Sequence, residues 1–189
     1  MTASKRLFDI FFSSFALLAL AGVLALVALA VKMTSQGKVL YWSKRVGKDN
    51  SIFLMPKYRT MRSATPVVAT HLLANPVVYL TPIGKFLRAT SLDELPQLYS
   101  ILLGHMSFVG PRPALFNQDD LIELRTLEGV HVLTPGLTGW AQVNGRDELP
   151  IPNKVELDKF YLQRQSWFFD LQILLLTFVK VLRRDGVVH

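Results

Sequence analysis

The 189-residue chain has no cysteine, which excludes disulfides and thiolate metal sites. It has only four histidines, His71, His105, His131 and His189, and their positions show no metal-ligand spacing. Any metal must therefore be held by oxygen or histidine ligands. Acidic residues are also scarce, 14 against 21 basic ones, and the formal charge of +7 calls for an anionic partner: phosphates, an acidic lipid surface or nucleic acid. No nucleic-acid recognition motif accompanies that charge, so no nucleic-acid partner is expected. There is no internal repeat and no low-complexity linker. What is abundant is apolar surface: half of the residues are hydrophobic and the mean hydropathy is positive. The length suits a single domain, residues 1–189, able to bury a real core.

Residues 10–31, IFFSSFALLALAGVLALVALAV, form an uncharged apolar run of transmembrane length. Lys32 and Met33 follow it in place of a small-residue cleavage site, so it is not a signal peptide. Basic residues flank both ends, Lys5 and Arg6 before, Lys32, Lys38, Lys44 and Arg45 after, and both ends thus prefer the cytoplasmic side. A bent, re-entrant helix over 5–33 satisfies that preference, with Gly22 or the Ser13-Ser14 pair as bend sites. No proline forces a bend, and a straight 22-residue crossing has the required length, so on the residues alone both topologies stand.

Residues 34–189 form the part of the chain beyond the apolar run. The stretch KVLYWSKRVGKDNSIFLMPKYRTM predicts a small β-hairpin around Gly47-Lys48-Asp49-Asn50, ending in the basic strand Lys57-Tyr58-Arg59. Residues 63–83 are polar, proline-punctuated and read as loop. Helical periodicity returns over Ile83–Arg88, Leu95–Leu103 and Asn117–Glu128. The segment TPGLTGWAQVNGR, rich in glycine and turn signals, reads as a ligand-shaping loop and not as a packed element. The tail over about 166–184, SWFFDLQILLLTFVKVLRR, is aromatic at its start and basic at its end, with Asp170, Gln172 and Lys180 interrupting it. That pattern suits an amphipathic helix in a membrane interface, the alternative being a buried C-terminal helix. The fold class is α+β, mainly helical, with interfacial amphipathic helices around a loop-built active site.

Two carboxylates stand side by side in TSLDELPQL, Thr90 to Leu98. Ser91-Leu92-Asp93-Glu94 fits an S-x-x-E capping box, which makes the pair a helix start. Pro96 fits poorly inside a helix, so the regular helix begins near it and the pair sits on an irregular turn. Lys57, Arg59, Arg62, Lys85, Arg88, Arg112 and Arg146 lie in four segments around this pair. Pro111 and Pro113 restrict the backbone on both sides of Arg112, and a guanidinium held this way suits bidentate contact with phosphate. Each of these cations taken singly is an ordinary surface charge; only convergence on Asp93-Glu94 makes a site of them.

KYRTM, IGKFLRATSLDELPQL, MSFVGPRP and PGLTGWAQVNGR, in this order and spacing, resemble the bacterial sugar transferase family, the monotopic polyprenyl-phosphate phosphoglycosyl transferases, in their minimal catalytic domain. KRLFDI with the apolar run, and WFFDLQILLLT, resemble it too. The resemblance implies an enzyme that moves a phosphosugar from a nucleoside diphosphate sugar, usually a UDP-sugar, to undecaprenyl phosphate, releasing UMP and starting bacterial glycoconjugate assembly. It implies Asp93 as the nucleophile of a covalent phosphosugar intermediate, with Glu94 as its partner and Mg2+ held by both. Lys57, Arg59, Arg88 and Arg112 would meet phosphates, and Gln142, Asn144 and Arg146 the nucleotide end of the donor. It also implies the cytoplasmic face of the bacterial inner membrane, membrane lipid as a partner, and a re-entrant N-terminal helix. The chain departs from the family in four places. Ala21-Gly22 replaces a common Ser-Pro bend, His105 stands where an acidic residue is common, and Pro82 and Thr134 stand where basic ones are.

Overall fold

A computed structural model describes residues 2–62, 64–66, 75–145 and 149–183. Its architecture is α+β and mainly helical. The apolar run divides into α1 (Ala3–Ala19) and α2 (Ala21–Thr34), bent by 63° at Leu20. The expected glycine bend is thus corrected: Gly22 lies inside α2 with open space around it, and the break is two residues earlier. Packing sets it. Ala16, Leu17 and Leu20 rest on Phe53, Met55, Leu98, Ile101 and Met106, whereas Val27 and Val31 pack with Tyr58 and Leu87, and the Tyr58 hydroxyl donates to the Leu24 carbonyl at 2.8 Å. One straight rod would not lie on both surfaces. Among the described residues no single helix is long and apolar enough to cross a membrane; the bent pair taken together meets that test by length and composition alone.

The predicted hairpin is present as β1 (Leu40–Val46) and β2 (Ile52–Tyr58), antiparallel with Leu40 opposite Tyr58 and Val46 opposite Ile52. Asp49 and Asn50 turn the chain with positive φ, 53° and 57°, a conformation these side chains tolerate. Helices α3 (Gly84–Ala89) and α4 (Gln97–Leu103) follow, joined by a 3-10 turn over Leu92–Glu94. Then come β3 (Ser107–Val109) and α5 (Asp119–Leu127).

TPGLTGWAQVNGR is not a free loop. It forms β4 (Gly136–Thr138), parallel to β3, and a short helix α6 (Trp140–Asn144). Its glycines serve this packing: a Cβ on Gly136 or Gly139 would collide with the backbone of Gly110. Helices α7 (Ile151–Arg164) and α8 (Trp167–Arg183) close the body, placing Tyr161 and Ile173 in one core with Val109, Val130, Leu133 and Val143.

The N-terminal basic residues do more than flank an apolar run. Lys5 is buried and donates to the Val109 carbonyl (2.9 Å), the Tyr161 hydroxyl (2.9 Å) and Asp170 Oδ2 (2.7 Å). Arg6 donates to the Ile101 and Leu102 carbonyls, both at 2.6 Å, at the C-terminus of α4 where a cation is favoured. On the opposite surface of α1, α2 and α8 lie exposed apolar side chains: Leu7, Phe11, Phe15 and Leu18, then Leu26 and Leu29, then Phe168, Leu171, Leu175 and Phe178. So much exposed apolar surface marks a contact face.

Candidate active site

Asp93 and Glu94 sit on the 3-10 turn between α3 and α4, and α4 begins just after Pro96, where the proline was expected to place it. The capping box, however, does not form. Ser91 is left-handed, φ 56°, and its side chain makes no cap hydrogen bond; the turn closes through its carbonyl, which accepts from Glu94 N at 3.2 Å. A left-handed residue cannot present its hydroxyl to the following N–H groups as an extended N-cap does.

Successive residues of a 3-10 turn point about 120° apart, so the two carboxylates meet different surroundings. Glu94 Oε1 accepts from Lys57 Nζ at 2.6 Å and from Arg112 Nη2 at 3.1 Å. Burial alone would raise its titration, but Lys57 and Arg112 outweigh that and hold Glu94 far below the usual carboxylate range. Asp93 is 7% exposed and accepts no hydrogen bond from the described residues. Burial, reinforced by the Glu94 charge and opposed by Lys57, Arg88 and Arg112, raises it to about 6. Arg88 donates Nε to Thr60 Oγ1 at 3.1 Å and is within electrostatic reach of both carboxylates. Lys57, at the end of β2, is lowered by burial and supported by Glu94.

Five of the expected residues therefore converge: Lys57 from β2, Arg88 from α3, Asp93 and Glu94 from the turn, and Arg112 from the loop after β3. Arg59 donates instead to the Gln36 carbonyl at 3.0 Å. Asn144 bonds back to the Trp140 carbonyl at 2.8 Å. Gln142 lies on α6 with both amide atoms buried and unpartnered among the described residues. Arg146 lies outside the described residues. Sequence reading missed Thr60 and the buried pair Arg125–Asp158, whose Nη2 to Oδ2 distance is 2.6 Å. The signal for the second was Asp158 standing at helical spacing between Val155 and Tyr161, a charge in an apolar stripe.

The donor set fits Mg2+. Both Asp93 oxygens and Glu94 Oε2 are left uncommitted by the described residues. No group of three or more His, Cys, Asp or Glu exists among the described residues to enclose an ion fully. Mg2+ is the hard cation that is held by one or two carboxylates and completes its shell with water and substrate phosphate. Among the described residues three cations, Lys57, Arg88 and Arg112, act on the two carboxylates, a surplus of positive charge that suits a diphosphate.

A family model described as bacterial sugar transferase matches residues 1–184. The chain is 39% identical over 186 residues to a Bacillus subtilis (strain 168) protein named uncharacterized sugar transferase EpsL, covering 97% of this chain and 89% of that one. It is 40% identical over 187 residues to the UDP-glucose:undecaprenyl-phosphate glucose-1-phosphate transferase of Escherichia coli (strain K12), covering 93% of this chain and 39% of that protein. It is 36% identical over 200 residues to the exopolysaccharide production protein ExoY of Rhizobium meliloti (strain 1021), covering 97% and 87%. The chain thus spans well under half of the E. coli enzyme and most of the two shorter relatives.

Proposed function

The chain belongs to the bacterial sugar transferase family and is an enzyme, and from that premise we propose that it transfers a phosphosugar from a UDP-sugar to undecaprenyl phosphate on the cytoplasmic face of the bacterial inner membrane. The names of relatives make UDP-glucose the first donor to try and exopolysaccharide assembly the first pathway to examine. The observation that carries the mechanism is the asymmetry of the acidic pair: Glu94 clamped by Lys57 and Arg112, Asp93 buried beside it with no donor from the described residues.

In the first half-reaction an Asp93 oxygen attacks the sugar-bearing phosphorus. The bond from that phosphorus to the bridging oxygen breaks, UMP leaves with the electron pair, and Asp93 carries the phosphosugar. In the second, an oxygen of undecaprenyl phosphate attacks the same phosphorus and Asp93 is released. A carboxylate held near 6 is a better nucleophile than one held near 3.8 yet is still ionised at neutral pH. Glu94 keeps Lys57 and Arg112 aimed at the phosphates, and Arg88 adds charge on the Asp93 side. Mg2+, held by Asp93 and Glu94, would supply further neutralisation of the diphosphate. The covalent route lets a soluble donor and a lipid acceptor use one site in turn.

The membrane reading is supported by where the ends of the bent pair lie. Lys5, near one end, is tied to Val109 and Asp170, and Val31, near the other, packs with Tyr58 and Leu87, so both ends join the same body. That arrangement favours re-entry over a crossing and sets the exposed apolar surfaces of α1, α2 and α8 against lipid.

The deciding experiment is UMP release from a panel of UDP-sugars, with and without undecaprenyl phosphate and Mg2+. Sustained release that requires all three components, with at most one UMP per enzyme when undecaprenyl phosphate is left out, and loss of both on Asp93→Asn support the mechanism. Full turnover by Asp93→Asn would remove the nucleophile assignment.

A further inference from the structure

Pro111-Arg112-Pro113 has little donor capacity of its own, since two of its three residues lack a backbone N–H. Its place is set through carbonyls, and the four consecutive ones from Pro111 to Ala114 are taken by donors from elsewhere. Pro111 O accepts from Gly136 N (2.9 Å), Arg112 O from Arg125 Nη1 (2.8 Å), Pro113 O from Arg45 Nη1 (3.1 Å), and Ala114 O from Val46 N (3.0 Å).

The bond at Arg112 stands apart because it holds the residue whose guanidinium reaches Glu94, and because its donor is itself fixed. Arg125 is 8% exposed and gives Nε (3.0 Å) and Nη2 (2.6 Å) to one oxygen of Asp158, which is 1% exposed. This consumes two corners of the guanidinium fork and leaves Nη1 pointing at the Arg112 carbonyl. A buried ion pair is a poor way to join two helices, because desolvation cancels most of its attraction and apolar side chains serve as well. What apolar contact cannot supply between α5 and α7 is a directional N–H at a set place, and the planar fork of arginine does so.

We propose that Arg125, held by Asp158, is a positioning residue: through the Arg112 carbonyl it sets the Arg112 guanidinium against Glu94 for phosphosugar transfer. Its consequence for turnover rests on the function proposed above; its consequence for the Arg112 segment does not. Asp158 acts one step further back, by orienting Arg125.

The test is a double-mutant cycle in the full chain. Arg125→Lys keeps a charge for Asp158 but has one nitrogen and cannot serve both acceptors. It is expected to lower kcat/KM for the UDP-sugar about tenfold when Arg112 is present and less than about twofold in an Arg112→Gln background. Asp158→Asn should follow the same pattern. Equal losses in both backgrounds, the signature of a merely structural role, would overturn the proposal. Hydrogen exchange gives a readout without turnover. Arg125→Lys should speed exchange of the amides over residues 110–115 and leave those of residues 52–58 unchanged, and no change over 110–115 overturns the proposal. A wild-type chain that turns over no UDP-sugar would refute the function reading and leave the exchange result to decide the positioning role.

Discussion

Asp93 and Glu94 are neighbours with nearly the same chemistry, and their surroundings push them in opposite directions. Glu94 faces two donors on one oxygen, while Asp93 is buried with three cations acting on it electrostatically and none of the described residues donating to it. Ionised Asp93 is thus costly to the fold. Its folded pKa, about 6 against 3.8, means that the folded state holds the proton more tightly, so stability falls as pH rises between those values and stays lower above them. Asp93→Asn should therefore abolish transfer and yet raise stability at pH 7.5 by on the order of 1–3 kcal/mol, with no gain at pH 4. Melting curves of both proteins at the two pH values check this. For turnover by the proposed mechanism the sign is reversed, because attack needs the ionised form. The acid limb of kcat/KM should lie near pH 6 at limiting Mg2+ and move lower as Mg2+ is raised, since a bound cation favours the carboxylate. A limb that does not move with Mg2+ would speak against Asp93 as a ligand.

At the scale of elements, the turn carrying the pair depends on Ser91 in the left-handed region. The sequence put an acidic turn before Pro96 correctly, because proline tells where a regular helix can begin. It mistook the role of Ser91, because the S-x-x-E spacing is the same whether the serine is extended or left-handed. Ser91→Gly should keep fold and activity, since glycine adopts positive φ freely. Ser91→Val should cost roughly 1–3 kcal/mol in denaturant unfolding, because a β-branched residue is strained there. The hairpin was legible from alternation and turn residues, and α3, α4 and α5 from apolar spacing. TPGLTGWAQVNGR was misjudged for a physical reason. Its glycines look like turn signals, whereas Gly136 and Gly139 are there because the backbone of Gly110 comes too close for any side chain, a contact made across more than 20 residues of chain.

At the scale of the molecule, Lys5 joins α1 to the body through Asp170, Tyr161 and Val109. Removing one partner of a buried pair leaves the other charge stranded, so Lys5→Met should destabilise by about 3–5 kcal/mol, and adding Asp170→Asn should restore part of the loss. Unfolding of the single and double variants in detergent or vesicles checks it; an additive double variant would mean that the pair is not coupled. Because the chain has no cysteine, single cysteines at Thr2 and Thr34 report the disposition of α1 and α2 cleanly. An impermeant thiol reagent applied to inside-out vesicles should label both, and labelling of one only would exclude re-entry.

The amino-acid sequence by itself determined the inventory: an acidic pair before a proline, basic residues in separated segments, a long apolar run, no thiol chemistry, and motifs that place the chain in its family. These are local properties, readable because spacing and composition act over a few residues. The tertiary structure alone decided which carboxylate is clamped and which is buried without a donor from the described residues, where the apolar run bends, that Lys5 is an internal tie, and that Arg125 reaches Arg112. Each of these depends on which charges and surfaces are brought together from distant parts of the chain. Burial and Coulomb interaction are set by distance in space, and no local pattern encodes that distance.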